Sequence, residues 1–183
     1  RAVRSMDDAD RAVAAVALGF PGNRAAFEPL RCALRAPSAR VRQAALQGLG
    51  ALDDPRVTAV LGALLALSPP EALRRSIVRH LRQVPGETAE RALVAQFYSA
   101  DVEMRLLALS AFRTRDSAPA LEGARYLLHD HDPRVRVLAL TLLERGERQD
   151  ANAVAPLLAD PYHRVQRTAQ VTLLRLRRTY PAA

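Results

Sequence analysis

The stretch Asp132 to Gly146 reads DPRVRVLALTLLERG, and the same phrase recurs along the 183-residue chain. With Arg136 as anchor, successive steps back land on Arg105, Arg74, Arg42 and Arg11, and one step forward lands on Gln166. From the amino end the spacings are 31, 32, 31, 31 and 30 residues. Such a period marks an array in which each unit is too small to bury its own apolar face and stacked neighbours complete the core. Inside each copy the apolar residues recur three and four positions apart, the spacing of an amphipathic helix, and no segment alternates with period two. The chain is therefore expected to be all-α.

Second helices are expected near 7–19, 39–52, 70–84, 101–113, 133–145 and 161–179. First helices are expected over Asn23–Arg35, Pro55–Leu67, Glu87–Tyr98, Ser117–His129 and Asp150–Leu158. This gives five helix pairs behind a leading single helix, with antiparallel neighbours because the connections are short. Ser38 is expected to cap its helix, and Gly48 and Gly50 to end it. Inward stripes fall on Val41, Ala45, Leu46 and Leu49, on Leu73, Ile77, Val78 and Leu81, and on Met104, Ala108, Leu109 and Phe112. The whole of residues 1–183 reads as one repeat domain, and the first helix, lacking a partner before it, suggests an excised piece of a longer protein.

Composition narrows the function. No apolar run approaches the roughly 20 residues needed to span a bilayer. Net charge is +8, but all 27 basic residues are arginine beside abundant alanine, which reads as a coding bias and weakens the case for a phosphate-binding surface. A lone cysteine, Cys32, rules out an internal disulfide or a cysteine-based metal cluster and favours a cytoplasmic setting. Cys32 lies beside Ala33 and Leu34 and reads as a small core residue.

The motif Asp-x-x-Val-Arg-x-x-Ala-Leu-x-x-Leu is seen best at Asp132, Val135, Arg136, Ala139, Leu140 and Leu143. A second copy falls at Asp101, Met104, Arg105, Ala108, Leu109 and Phe112. With its preceding proline turn it resembles the HEAT repeat, in the short form also found in phycobilisome-lyase-like bacterial proteins. The resemblance implies a right-handed α-α superhelix of armadillo type. Two copies depart from it: Pro70 replaces the aspartate before Arg74, and Gln166 replaces the arginine, so those two interfaces should lack the Asp/Arg pairing. The aspartate four residues before the arginine can cap its helix and meet the positive dipole end. The arginine can then reach an aspartate of its own or the adjacent repeat.

Candidate chemistry is sparse. His129-Asp130-His131-Asp132, with His163 one repeat later, is the only metal-like cluster, but Asp132 is needed as a cap and a polar turn explains the rest. The sequence lacks the His-Glu pairs of HEAT-like hydroxylases such as deoxyhypusine hydroxylase. It also has no tryptophan for the cleft of HEAT-like alkylpurine glycosylases. No glycine-rich phosphate loop and no Ser/His/Asp arrangement occurs. The expected protein is no enzyme and needs no metal or cofactor.

Second helices are expected to line the concave side of such a stack. Positions one and five after the anchor then give the rows Gln43, Arg75, Leu106, Val137 and Arg167, and Gln47, Arg79, Ser110, Thr141 and Val171. Arg82 and Arg113 extend their basic flank. Leu106 and Val137, read as exposed apolar residues rimmed by arginine, suggest an interface for another protein, an acidic segment with apolar anchors. Basic nucleic-acid binding is the alternative. Leu107, Leu138 and Leu142 are expected to be buried between neighbours.

Overall fold

A computed structural model describes residues 7–67 and 69–179. It is helical, with no strand among the described residues. The second helices are α1 (Asp8–Leu18), α3 (Ala39–Gly50), α5 (Glu71–Leu81), α7 (Val102–Ser110), α9 (Pro133–Leu143) and α11 (His163–Thr179). The first helices are α2 (Phe27–Ala33), α4 (Arg56–Ala66), α6 (Glu87–Val94), α8 (Ala118–Leu127) and α10 (Asp150–Val154). The chain forms two compact units, residues 1–92 and 93–183, with the boundary inside α6.

First helices are shorter than expected because three of them contain or adjoin tighter 3-10 turns, at Arg24–Ala26, Ala95–Tyr98 and Ala155–Ala159. In the last of these Pro156 supplies the reason, since it has no N–H to bond back along an α-helix. Asp101 and Asp132 cap their helices as expected, accepting from the N–H of Glu103 at 3.0 Å and of Arg134 at 2.8 Å. Ser117 does the same for α8 through the Ala120 N–H at 3.1 Å. Ser38, contrary to expectation, makes no side-chain cap bond.

In unit 1 the second helices stack in order, α1 on α3 and α3 on α5, with α2 against α3 and α4 against α5. The expected stripes of α3 and α5 are all buried. Gly48 does not end α3 but lies inside it, where a Cβ would collide with the carbonyl oxygen of Ala15. Gly19 faces the same crossing, so α1 and α3 meet backbone to backbone. Ala14 and Leu18 of α1 are only half-buried, whereas the corresponding Ala139 and Leu143 of α9 are fully covered. Cys32 is exposed, correcting its assignment to the core, because Phe27, Leu30 and Leu34 take the inward positions.

In unit 2, α8 packs on α9, α10 on α11, and α9 lies between α7 and α11. Phe97 and Phe112 meet edge to face at 5.6 Å in the core. Gly123 leaves room for them, since a Cβ there would lie 2.6 Å from the Phe97 ring. Leu142 is buried as expected, but Leu107 and Leu138 are half-buried.

Candidate functional site: the face of the second helices

The anchor arginines of unit 2 are structural clamps. Arg105 donates through Nε and Nη2 to the two carboxylate oxygens of Asp130 at 2.7 and 2.9 Å, and through Nη1 to the carbonyls of Ser99 and Ala100. Arg136 repeats the pattern with Asp160 at 2.8 and 2.9 Å and with the carbonyls of Asp130 and His131. One side chain thus holds its own turn and the next, with the two-pronged geometry that suits guanidinium to carboxylate. The acid is not the helix cap, as the repeat motif suggested, but the residue two positions before the next cap register. Burial alone would raise the Asp160 carboxyl, yet donation from Arg136 and from the Tyr162 N–H outweighs it and holds the group below the usual range.

Gln166 stands where the arginine is lost, and it keeps only the carbonyl half of the job, donating to Asp160 O at 2.7 Å. Arg42 likewise donates to the carbonyls of Ala36 and Pro37 at 2.8 and 2.6 Å, and its buried Nε has no acceptor. Additional ties between repeats in unit 2 join Arg134 to Glu103, Arg175 to Glu144, and Arg125 to the buried Asp150.

The expected binding residues divide between the units. In unit 1, Arg75 is half-buried and paired with Glu71, Arg79 is exposed, and Arg82 is exposed just past α5. Arg79 borders a shallow hollow with Gln43, Gln47 and His80. Burial pushes the His80 imidazole below its ordinary value. In unit 2, Leu106 and Val137 are half-buried rather than exposed, because α7 and α9 lie side by side and each shields part of the other. Ser110 and Thr141 turn their hydroxyls back on their own helices, donating to Leu107 O at 2.6 Å and Val137 O at 2.9 Å. Arg113 and Arg167 are exposed.

Of these residues, Arg113 and Thr141 line one cavity, of about 240 Å³. Leu106, Val137 and Arg167 are not among its walls. The sequence rows missed Leu174, which is 67% exposed on α11 beside the 40% exposed Val171 and is the largest bare apolar side chain on any second helix of unit 2. The rows tracked two positions per repeat, and Leu174 lies one turn beyond them.

The His129–Asp132 turn is largely committed. Asp130 serves Arg105 and the Asp132 N–H, while Asp132 caps α9 and pairs with Arg134. His129 and His131 are exposed. Among the described residues no three His, Cys, Asp or Glu side chains converge in a metal-binding group. Nor is any helix among them long and apolar enough to cross a membrane.

Paired antiparallel helices stacked at a period near 31 residues define an α solenoid. The family model for HEAT repeats matches residues 1–82 of the chain. An engineered protein solved by a structural genomics consortium superposes with a TM-score of 0.60 at 20% identity, over 96% of this chain and 94% of that one. A designed armadillo repeat protein gives 0.50 at 18% identity, over 83% and 82%. At these identities the likeness is one of fold. No curated protein matches the sequence.

Proposed function

We propose that this chain is a non-enzymatic interaction scaffold whose second helices bind another protein, through an acidic segment carrying one or two apolar anchors. The distribution of unspent charge carries the reading. Every arginine within a described first helix, namely Arg31, Arg56, Arg91 and Arg125, sits in an ion pair. Arg79 and Arg167, on second helices, and Arg113, just past one, have no ion pair among the described residues. Each unit therefore keeps cations on or just past its second helices that no ion pair uses, Arg79 in unit 1 and Arg113 and Arg167 in unit 2, and these can steer an acidic partner.

Each unit presents its own share of the face. Unit 1 supplies Arg75, Arg79 and Arg82, and unit 2 supplies Leu106, Ser110, Arg113, Val137, Thr141 and Arg167. Half-buried Leu106 and Val137 still show apolar surface that a partner side chain can remove from water. The single cysteine fits a cytoplasmic setting. Nucleic-acid binding is the second reading, favoured by Arg164, Arg167, Arg177 and Arg178 along α11.

The test is peptide selection on the immobilised chain, run beside a salt series with labelled duplex and single-stranded DNA. Selected peptides are expected to be acidic with aliphatic residues, and the Leu106→Ser/Val137→Ser double variant to lose them while keeping its helicity. Selection of basic or purely polar peptides, or DNA binding that persists at about 0.15 M salt, where simple charge attraction is strongly weakened, contradicts the proposal.

A further inference from the structure

The 240 Å³ cavity of unit 2 is walled by α7, α9, α11 and the turns that follow α7 and α9, with no first helix contributing. Its floor is apolar: Leu109 and Leu142 are buried and Leu138 is half-buried. Small-molecule sites usually run to about 300–1,000 Å³. A space below that range suits one aliphatic side chain better than a whole metabolite.

Three arginines stand on the rim, and their commitments differ. Arg175 is engaged with Glu144. Arg145 donates to Phe112 O, answering the carboxyl end of α7, and pairs at 3.1 Å with Asp116. The Asp116 side chain is 92% exposed, so water screens that pair and a competing carboxylate can replace it. Arg113 has no partner among the described residues. An apolar floor beneath an incompletely neutralised cationic rim matches a leucine-like side chain with carboxylates on either side.

We infer that this cavity is the anchor pocket for an aliphatic side chain of an acidic peptide segment, an inference that rests on the binding face proposed above and names its central contact. Leu106 and Val137 lie one helical turn before Ser110 and Thr141 on the same helix faces, so they extend the apolar strip beyond the pocket. The peptide's flanking acids meet Arg113 first and Arg145 by exchange with Asp116.

The test uses the full chain and three fluorescein-labelled pentapeptides, DELDE, DEGDE and KKLKK, followed by fluorescence anisotropy. DELDE is expected to bind at least about ten-fold more tightly than either of the others, since each lacks one half of the recognition. Arg113→Glu should weaken DELDE by about ten-fold through loss and reversal of the rim charge. Thr141→Met, which fills the pocket, should weaken it comparably, with circular dichroism confirming that both variants remain folded. Equal binding of the three peptides, or unchanged binding of DELDE to both variants, overturns the inference. If both variants bind normally but Leu106→Ser/Val137→Ser does not, the pocket is wrong and the binding face stands; if all three bind normally, both are wrong.

Discussion

Arg136 and Asp160 lie 24 residues apart and close on each other through two parallel hydrogen bonds of 2.8 and 2.9 Å, both side chains almost out of water. The third nitrogen of the same guanidinium holds the carbonyls of the preceding turn. Arg105 and Asp130 repeat the arrangement one repeat earlier, within the same unit.

Removing one partner of a buried pair leaves the other charged and unsatisfied. Arg136→Ala is therefore expected to cost about 3–5 kcal/mol. Arg105→Ala, in a pair of nearly the same geometry and burial, should cost a similar amount. Arg79→Ala, at an exposed arginine with no ion pair, should stay within about 0.5 kcal/mol. Urea midpoints of the three variants check this, and equal midpoints would show the clamps to be idle.

Arg42 and Gln166 give a second contrast. Gln166 shows that an amide can hold the turn carbonyls, and Arg42 uses its guanidinium for little more than that. Arg42→Gln should change stability by less than about 0.5 kcal/mol. Arg136→Gln should still destabilise clearly, because Asp160 loses its cation. Paired thermal melts of the two variants suffice, and similar losses in both would contradict the division of roles.

His80 makes unit 1 sensitive to mild acid. Its folded pKa lies below the ordinary 6.5 because burial disfavours the charged ring. The unfolded chain then binds the proton more readily, so stability falls as pH drops from 6.5 toward the folded value. His80→Gln should remove that slope between pH 7.5 and 5. A thermal midpoint that declines equally in parent and variant across this range would reject it.

Two glycines inside helices should respond oppositely to alanine. At Gly48 a Cβ meets backbone, the carbonyl of Ala15, so Gly48→Ala forces α1 away from α3. At Gly62 the nearest atom is the Ala92 Cβ at 3.5 Å, ordinary contact. Gly62→Ala should stabilise by about 0.5–1 kcal/mol through helix propensity, whereas Gly48→Ala should destabilise by more than that. Denaturant unfolding of both checks the signs.

The arginine column and its period were legible because five copies keep an arginine at the anchor, two of them, Arg105 and Arg136, for the full clamp, and so were the Asp101 and Asp132 caps. The acid that answers the clamp falls in a column reading Ala36, Ser68, Ser99, Asp130 and Asp160, which carries an acid at only its last two positions and so forms no regular pattern in the sequence. Gly48 could not be read locally, since a glycine late in a helix resembles a stop until the neighbouring helix is in place. The cavity beside Arg113 was out of reach for the same reason: its walls come from three helices whose side chains are about 30 residues apart. The half-burial of Leu106 and Val137 likewise depends on how closely α7 and α9 approach.

The most direct test of the second-helix face is hydrogen–deuterium exchange of the full chain with and without a saturating selected peptide. Protection confined to second helices, strongest over the carboxyl-terminal turns of α7 and α9 and the facing part of α11, is the expected result. Protection confined to first helices such as α8 and α10, or to the His129–Asp132 turn, would contradict it.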